Sequence, residues 1–313
     1  MAKTMSQRKL EKKGASEDAM LPKSASARLF GYISLGIIIV ITLFPLWWML
    51  RTALSTTKTL FRDPLSLLPV DFTLGGFNRV FGLASTSEAL AEGGSGASIN
   101  FAQFFVNSLI VCVVVTVSQV LFSAAAAYAF SILQWKGRDA VFFLFLIALT
   151  VPGIFLVLPN YLLIRDLGLL NSLLGIMLPN LLMSPFAIFF LRQFFLGTNL
   201  SIVEAAIIDG ASHFRIFLKI VAPLAWPQII TLGILQFINY WNDYLWPFYV
   251  GSGKSESTVL TVGLGIFKSQ TPQGSPDWAG LMAGALVAAV PMVLLMVFLG
   301  KKIVGSIQAS GVK

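Results

Sequence analysis

Long apolar runs separated by short polar stretches dominate this chain. Six runs without a charged residue are long enough to cross about 30 Å of hydrocarbon as helices, which takes roughly 20 residues. They are Phe30–Leu50, Phe104–Leu133, Ala140–Ile164, Leu167–Leu191, Ile220–Asn242 and Trp278–Gly300. The pattern predicts an all-α membrane protein with six transmembrane helices.

The composition agrees with a membrane location. The chain has 313 residues, of which 56% are hydrophobic and only 12% are charged, whereas a soluble domain carries about 25% charged residues. A single cysteine and a single histidine exclude a disulfide framework and a histidine-rich metal cage within the chain, so we predict no metal site. The net charge of +8 comes from basic residues that flank the apolar runs, which is typical of a topology signal and not of a nucleic-acid-binding surface.

The basic residues also set the expected orientation. With the N-terminus in the cytosol, fifteen lysine and arginine residues fall on the cytosolic side and seven on the other side. This asymmetry favours both termini inside. The predicted segments are a cytosolic tail at 1–29, the first transmembrane helix at 30–51, an extracytoplasmic segment at 52–103, a five-helix transmembrane domain at 104–302 and a cytosolic tail at 303–313.

A polar island, EAAIIDGASHFRIFLKIVAP, lies between the fourth and fifth runs and extends from Glu204 to Pro223. Its pattern predicts two short helices joined by a turn at Asp209 and Gly210, because glycine readily adopts the left-handed conformation that ends a helix. Ser201 has the spacing to Glu204 that is typical of a capping box for the first helix. On the predicted topology the island lies in the cytosol.

The second predicted helix of the island begins after Ser212 and carries one apolar stripe at helical spacing, formed by Phe214, Phe217, Leu218 and Val221. Pro223 then marks the entry to the fifth transmembrane helix. An apolar stripe in the cytosol needs a partner. Two interpretations are open: another protein covers the stripe, or the stripe packs on the cytosolic ends of the chain's own helices.

Polar residues inside a membrane span are costly and often mark a pathway. The end of the fifth run carries amides at spacings of three and four with aromatic rings around them, namely Gln236, Asn239, Tyr240, Trp241, Asn242 and the bordering acid Asp243. Planar amides beside aromatic faces suit a neutral, hydroxyl-rich sugar. The alternatives are hydrogen bonds between helices and an interfacial aromatic belt. Asn160 and Asn180, close to prolines in the third and fourth runs, are further pathway candidates.

The spacing of the island resembles a known signature. Glu204-Ala205-Ala206, three residues, Gly210, nine residues, Ile220, two residues and Pro223 resemble the EAA loop of the MetI-like superfamily of ABC-importer permeases, and within it the six-helix subunit of maltose-transporter-type sugar permeases. Further stretches that carry the resemblance are FFVNSLIV (104–111), LPNYLLIRDLGLLNS (158–172), NYWNDYLWP (239–247) and ASGVK (309–313). Ala222 departs from the family pattern, which usually has leucine before the proline.

The resemblance implies a MetI-like fold in which segment 196–223 is a coupling loop that docks on an ATPase subunit through Glu204, Ala205, Ala206, Asp209, Gly210, Phe214 and Pro223. It also implies a second permease chain in a heterodimer, two ATPase subunits, an extracytoplasmic solute-binding protein and a di- or oligosaccharide as substrate, in the cytoplasmic membrane of a bacterium or archaeon. The chain has no G-x-x-x-x-G-K-[ST] phosphate loop. We therefore expect it to bind no cofactor, while ATP and Mg are used by the partner subunits.

Other functions are still open at this point. A permease of the same superfamily for a peptide or phosphate fits the same loop. An intramembrane enzyme needs a nucleophile with a base, or clustered acids, within the spans, and the lone His213 and the isolated Asp243 argue against it. A channel without ATPase partners has no use for a coupling-type loop. We predict no catalytic residue.

Overall fold

The computed structural model describes residues 25–96, 100–269 and 275–311. Within these residues the protein is built of α-helices and has no β-strand, which confirms the predicted all-α class. The chain divides into two compact units, Met1–Arg51 and Thr52–Lys313. Residues 1–24 of the predicted N-terminal tail, and residues 312–313 of the predicted C-terminal tail, lie outside the described residues.

We label the α-helices α1 to α16 in chain order. They are α1 (Ala25–Ala53), α2 (Gly75–Val80), α3 (Thr86–Ala91), α4 (Phe101–Ser131), α5 (Arg138–Leu149), α6 (Ile154–Asp166), α7 (Leu173–Met177), α8 (Pro185–Phe195), α9 (Leu200–Ile208), α10 (His213–Ile216), α11 (Ala222–Leu224), α12 (Trp226–Trp241), α13 (Leu245–Gly251), α14 (Leu260–Leu264), α15 (Ile266–Ser269) and α16 (Trp278–Gly311). A 3-10 turn, Leu178–Asn180, extends α7, and a π-helical turn, Phe217–Val221, joins α10 to α11.

Three helical segments are long and apolar enough to cross a membrane singly: Ser26–Ala53, Phe101–Ser131 and Trp278–Phe298. Three bent pairs of helices are long and apolar enough to cross a membrane when the two helices of a pair are taken together. The axes bend by 100° between α5 and α6, by 45° between Leu173–Asn180 and α8, and by 80° between His213–Leu224 and α12. The described residues therefore give six spans when each bent pair counts as one, in agreement with the six predicted runs.

A proline lies at each of these bends, where its ring and missing N–H prevent a regular helix from continuing. Pro152 lies between α5 and α6, and Pro185 is the first residue of α8. Pro227 lies in the first turn of α12, so the straight part of the fifth span begins there and not at Pro223, which lies within α11. Pro159 is accommodated inside α6 without ending it.

The first unit is described from residue 25 and consists of α1 up to Arg51. This helix begins five residues before the predicted span and has no acidic residue in its first turn. The guanidinium of Arg51 lies 5.0 Å from the centre of the Trp48 ring. A cation over an aromatic face is a favourable way to place a charge at the end of an apolar span.

The centre of the second unit is α4, which packs against α8 and α12 and against the short helices α7 and α14. Its packing face is rich in small residues: Ser123 and Ala127 are fully buried and Ala124 nearly so. Small side chains allow helix backbones to approach closely within a membrane, where apolar burial drives association only weakly. This central helix contacts α12 and the π-helical turn Phe217–Val221, and both of these contribute to the candidate site described below.

Buried charges hold the extracytoplasmic segment to the start of α16. The Arg79 guanidinium bonds both carboxylate oxygens of Asp277, at 2.8 and 3.1 Å, and one oxygen of Glu92 at 2.7 Å. The Thr57 hydroxyl and the backbone N–H of Ser95 also donate to Asp277, at 2.8 and 2.9 Å. Because these donors satisfy the buried carboxylate from several chain segments, segment 52–96 is fixed to the last span.

Candidate functional site

The polar island forms an elbow of two helices, α9 and α10. The first helix ends in a Schellman motif at Gly210, which has φ of +77°. The N–H of Ala211 bonds the carbonyl of Ala206 at 2.9 Å, and the N–H of Gly210 bonds that of Ile207 at 3.0 Å. Ser212 then accepts a hydrogen bond from the N–H of Arg215 at 3.4 Å and caps α10. The predicted turn and the predicted second cap are confirmed.

The predicted capping box at Ser201 and Glu204 is wrong. The N-cap of α9 is Asn199, whose side chain accepts from the N–H and hydroxyl of Ser201 at 3.1 and 2.9 Å. The helix thus begins two residues earlier than a Ser201 cap allows, and Glu204 lies exposed on its surface. The described residues do contain a capping box, but at Ser85 and Glu88, where hydrogen bonds from the Ser85 hydroxyl and N–H lower the pKa of Glu88.

The inner face of the elbow packs on the chain itself. Val203, Ile216 and Val221 are buried in one core cluster with residues of α4 and α8, including Tyr128 and Phe195. This part of the island matches the interpretation in which the apolar side chains cover the cytosolic ends of the chain's own helices. It anchors the elbow firmly to the transmembrane domain.

The outer face of the elbow is apolar and exposed. Ile208 is 85% exposed and Phe214 is 71% exposed, and Leu218 lies one turn after Phe214. Glu204, Ala205, Asp209 and Gly210 are exposed beside them, Ala206 is half-buried, and Pro223 is exposed at the far end. We call the set Ile207, Ile208, Phe214 and Leu218 the outer apolar surface.

The predicted single stripe is therefore divided between two faces. Phe214 and Leu218 point outward. In contrast, Val221 is fully buried, and the ring centre of Phe217 lies 5.3 Å from that of Tyr128. The π-helical turn at Phe217–Val221 is the physical reason, because its extra residue per turn changes the helical register on which the predicted stripe depended. The nearby His213 ring nitrogen and the Tyr128 hydroxyl lie 3.2 Å apart.

A second feature is a cavity of about 840 Å³ at the extracytoplasmic end of the fifth span on the predicted topology. Its polar lining comes from Asn239, Asn242 and Asp243, with Tyr244 and Trp246 beside them. The rest of the lining is apolar and includes Gly153, Ile154 and Val157 from the bend of the third span. A volume of this size with a few polar groups on an apolar wall is typical of a small-molecule site.

The other predicted pathway residues have different surroundings. Gln236 and Tyr240 donate to the side-chain oxygen of Gln119. Trp241 is buried and its indole N–H donates to the Ala288 carbonyl at 3.1 Å. Asn160 and Asn180 are not among the residues that line the cavity, and the Asn180 carbonyl accepts from the Gln119 amide at 3.2 Å. The structure thus brings three of the eight predicted pathway residues together around one cavity.

Two contributions to this arrangement were absent from the sequence prediction. The wall formed by Gly153, Ile154 and Val157 depends on the 100° bend at Pro152, and a proline–glycine pair inside an apolar run was its available signal. Gln119 was also missed, although an amide in the middle of an uncharged run is a recognised signal of a functional or packing role.

The sequence matches a known protein family and is similar to characterised permeases. The family described as binding-protein-dependent transport system inner membrane component matches residues 119–307, which include the elbow and the cavity. The arabinooligosaccharides transport system permease protein AraQ of Halalkalibacterium halodurans is 32% identical over 283 residues, covering 90% of this chain and 95% of that protein. The sn-glycerol-3-phosphate transport system permease protein UgpE of Agrobacterium fabrum is 30% identical over 288 residues, with the same coverage.

The fold is also found in a solved structure. A bacterial ABC transporter involved in the import of the acidic polysaccharide alginate contains a chain that superposes with a TM-score of 0.72 at 24% identity, covering 90% of this chain and 99% of that chain. This confirms the MetI-like fold, and the family match covers more than half of the present chain. The chain therefore belongs to the family of binding-protein-dependent transport system inner membrane components, as a multi-pass membrane permease subunit that is not itself an enzyme.

Proposed function

We propose that this permease subunit moves a neutral sugar, of di- or oligosaccharide size, into the cell by alternating access. The observation that carries the proposal is the cavity whose polar lining consists of Asn239, Asn242 and Asp243 next to Tyr244 and Trp246. Amide and carboxylate groups hydrogen-bond sugar hydroxyls, while aromatic faces pack on the apolar faces of a sugar ring. AraQ, named for arabinooligosaccharides, supports this substrate class.

The charge of the cavity favours a neutral solute over an anionic one. Among the described residues that line it there is no lysine or arginine, and Asp243 is an acid. A phosphate or carboxylate group is normally held by basic side chains or by a helix N-terminus. UgpE, named for sn-glycerol 3-phosphate, makes a phosphate ester the second candidate, and a peptide is the third.

The elbow fits the role of a coupling loop for a separate ATPase. Its outer apolar surface is exposed, whereas its inner face is buried against α4 and α8. A force applied to the elbow is therefore transmitted to the spans. We propose that Glu204, Ala205, Ala206, Asp209, Gly210, Phe214 and Pro223 form the docking surface.

The proposed assembly contains this chain, a second permease chain in a heterodimer, two ATPase subunits that use ATP and Mg, and an extracytoplasmic solute-binding protein. Reconstituting the complex with its cognate binding protein tests the substrate class directly. ATP-dependent uptake of an oligosaccharide, with none of glycerol 3-phosphate or of a peptide, is the expected result. Uptake of either of the other solutes in place of sugar overturns the proposed substrate.

The docking role requires both chain termini to lie in the cytosol, as the fifteen-to-seven asymmetry of basic residues predicts. A reporter enzyme that is active only outside the cytoplasm should be inactive when fused after Lys313. The same reporter fused after Lys254, in a predicted extracytoplasmic segment, should be active and serves as the control. Strong activity at Lys313 contradicts the orientation.

A further inference from the structure

Polar side chains of α4 lie against the break in the fourth span, between the 3-10 turn and α8. The Ser118 hydroxyl donates to the carbonyl oxygen of Leu181. The side-chain amide of Gln119 donates to the carbonyl oxygen of Asn180 at 3.2 Å. Neither carbonyl belongs to a regular helix, so α4 provides the hydrogen bonds that a continuous helix would have formed.

The same helix satisfies the other side of the break. The Ser123 hydroxyl accepts from the backbone N–H of Ser184 at 3.1 Å, immediately before Pro185 begins α8. Backbone polar groups at membrane depth need a partner because no water is available to them. Side chains of α4 therefore fix where the fourth span is broken.

Gln119 also reaches the fifth span through the opposite end of its amide. Its oxygen accepts from the Gln236 amide and, at 3.1 Å, from the Tyr240 hydroxyl. Gln236 and Tyr240 are four residues apart and so lie on one face of α12, one turn from each other. Gln119 and Gln236 are only 3% and 8% exposed.

We infer that Gln119 is a positioning residue for transport, whose amide ties the break of the fourth span to the fifth span and so sets the position of the cavity-lining amides on α12. The inference rests on the proposed function for the identity of the solute. Gln119 does not itself line the cavity. Its influence passes through α12.

The geometry of α12 explains how the effect reaches the cavity. Asn239 follows Gln236 by three residues and Asn242 follows Asn239 by three, so a rotation of α12 at Gln236 moves both cavity amides. An apolar side chain of similar size in place of Gln119 fills the same space but bonds neither span. The donor and the acceptor of one amide thus couple two spans that must move in a transport cycle.

The test compares Gln119→Leu with Thr116→Val in the reconstituted full complex. Thr116 lies one turn earlier on α4 and is buried, and within the described structure its hydroxyl has no hydrogen-bond partner. Gln119→Leu should retain the subunit ratio and the basal ATP hydrolysis, while kcat/KM for uptake falls about tenfold. Thr116→Val should leave all three quantities unchanged.

Gln236→Leu provides a second variant if Gln119→Leu does not assemble. It removes one of the two hydrogen bonds between Gln119 and the fifth span and keeps those to Tyr240 and Asn180, so it should also lower kcat/KM for uptake, by less than Gln119→Leu. Where both single variants assemble, kcat/KM for uptake should be no lower in the double variant than in Gln119→Leu alone, because both changes break the same contact. Unchanged kcat/KM, strictly additive losses, or a loss of uptake that only follows a loss of assembly overturns the inference.

Uptake is measured with the solute that the cognate binding protein delivers, so a wild-type complex that carries another solute overturns the proposed substrate alone.

Discussion

Gly210→Leu should abolish coupled transport while leaving the chain inserted in the membrane. Gly210 has φ of +77°, and a leucine there is strained by about 1 kcal/mol. An added Cβ meets nothing within 4 Å in the chain itself, so a bulky side chain at this position projects away from the fold. At a docked surface that bulk costs about 1–3 kcal/mol more, which predicts a fall in ATPase binding of roughly a hundredfold.

The measurement is co-purification of the ATPase subunit together with solute uptake. Gly137→Leu is the matched control, since Gly137 also has a left-handed backbone, with φ of +86° and open space around its Cβ position, in another predicted cytosolic loop. Gly210→Ala separates backbone strain from bulk and should give an intermediate loss. Equal losses in Gly137→Leu and Gly210→Leu would falsify the assignment of the elbow as the docking surface.

The double substitution Asn239→Ala with Asn242→Ala should lower kcat/KM for uptake by about thirtyfold, at roughly 1 kcal/mol for each lost hydrogen bond to the solute. Both amides line the cavity. Asn242 also donates to the Ile238 carbonyl of its own helix at 2.8 Å, which orients its oxygen. The complex should assemble normally because neither side chain is buried in a core cluster.

The control for the cavity is Asn160→Ala, which removes the same amide from a residue that does not line the cavity. It should leave the uptake kinetics at the wild-type value. Uptake is assayed beside ATP hydrolysis stimulated by the binding protein, which separates solute contact from ATPase coupling. Wild-type kinetics in the double variant would mean that these amides only join helices, and the proposed pathway would have to be placed elsewhere.

The sequence predicts much of this architecture because the physical rules involved are local. Apolar runs of spanning length identify the six membrane segments, and Gly210 with Ser212 identifies the turn of the elbow. The family resemblance of the island then directs attention to an ATPase partner. These features depend on a few neighbouring residues, and the structure confirms the turn, the second cap and the all-α class.

The remaining features depend on contacts between distant parts of the chain. The 100° bend at Pro152 produces a cavity wall, yet Pro159 in the same run is accommodated within a helix. A proline permits a kink without determining its angle, which tertiary packing decides. The partners of Gln119 come from two other spans, 61 and 117 residues further along the chain, so their pairing could not be inferred from local spacing.

The division of the elbow surface into two faces also could not be predicted from local spacing. Helical spacing predicts one stripe from Phe214 to Val221, whereas a π-helical turn divides it into an outer and an inner face. Packing on the chain's own helices is therefore confirmed for Val221, which belongs to the core. Phe214 is exposed, and its coverage by another protein stays a prediction.

The central claim is that the outer apolar surface contacts an ATPase subunit, and site-specific crosslinking tests it most directly. In a Cys112→Ala background, which removes the only cysteine of the chain, Ile208→Cys and Leu65→Cys each introduce one new thiol. Both positions are 85% exposed, but Leu65 lies in the predicted extracytoplasmic segment. With a short bifunctional reagent, the Ile208→Cys variant should crosslink to the ATPase subunit and the Leu65→Cys variant should not. Absence of the crosslink at Ile208 in a complex that retains its ATPase, or an equal yield from Leu65, contradicts the account.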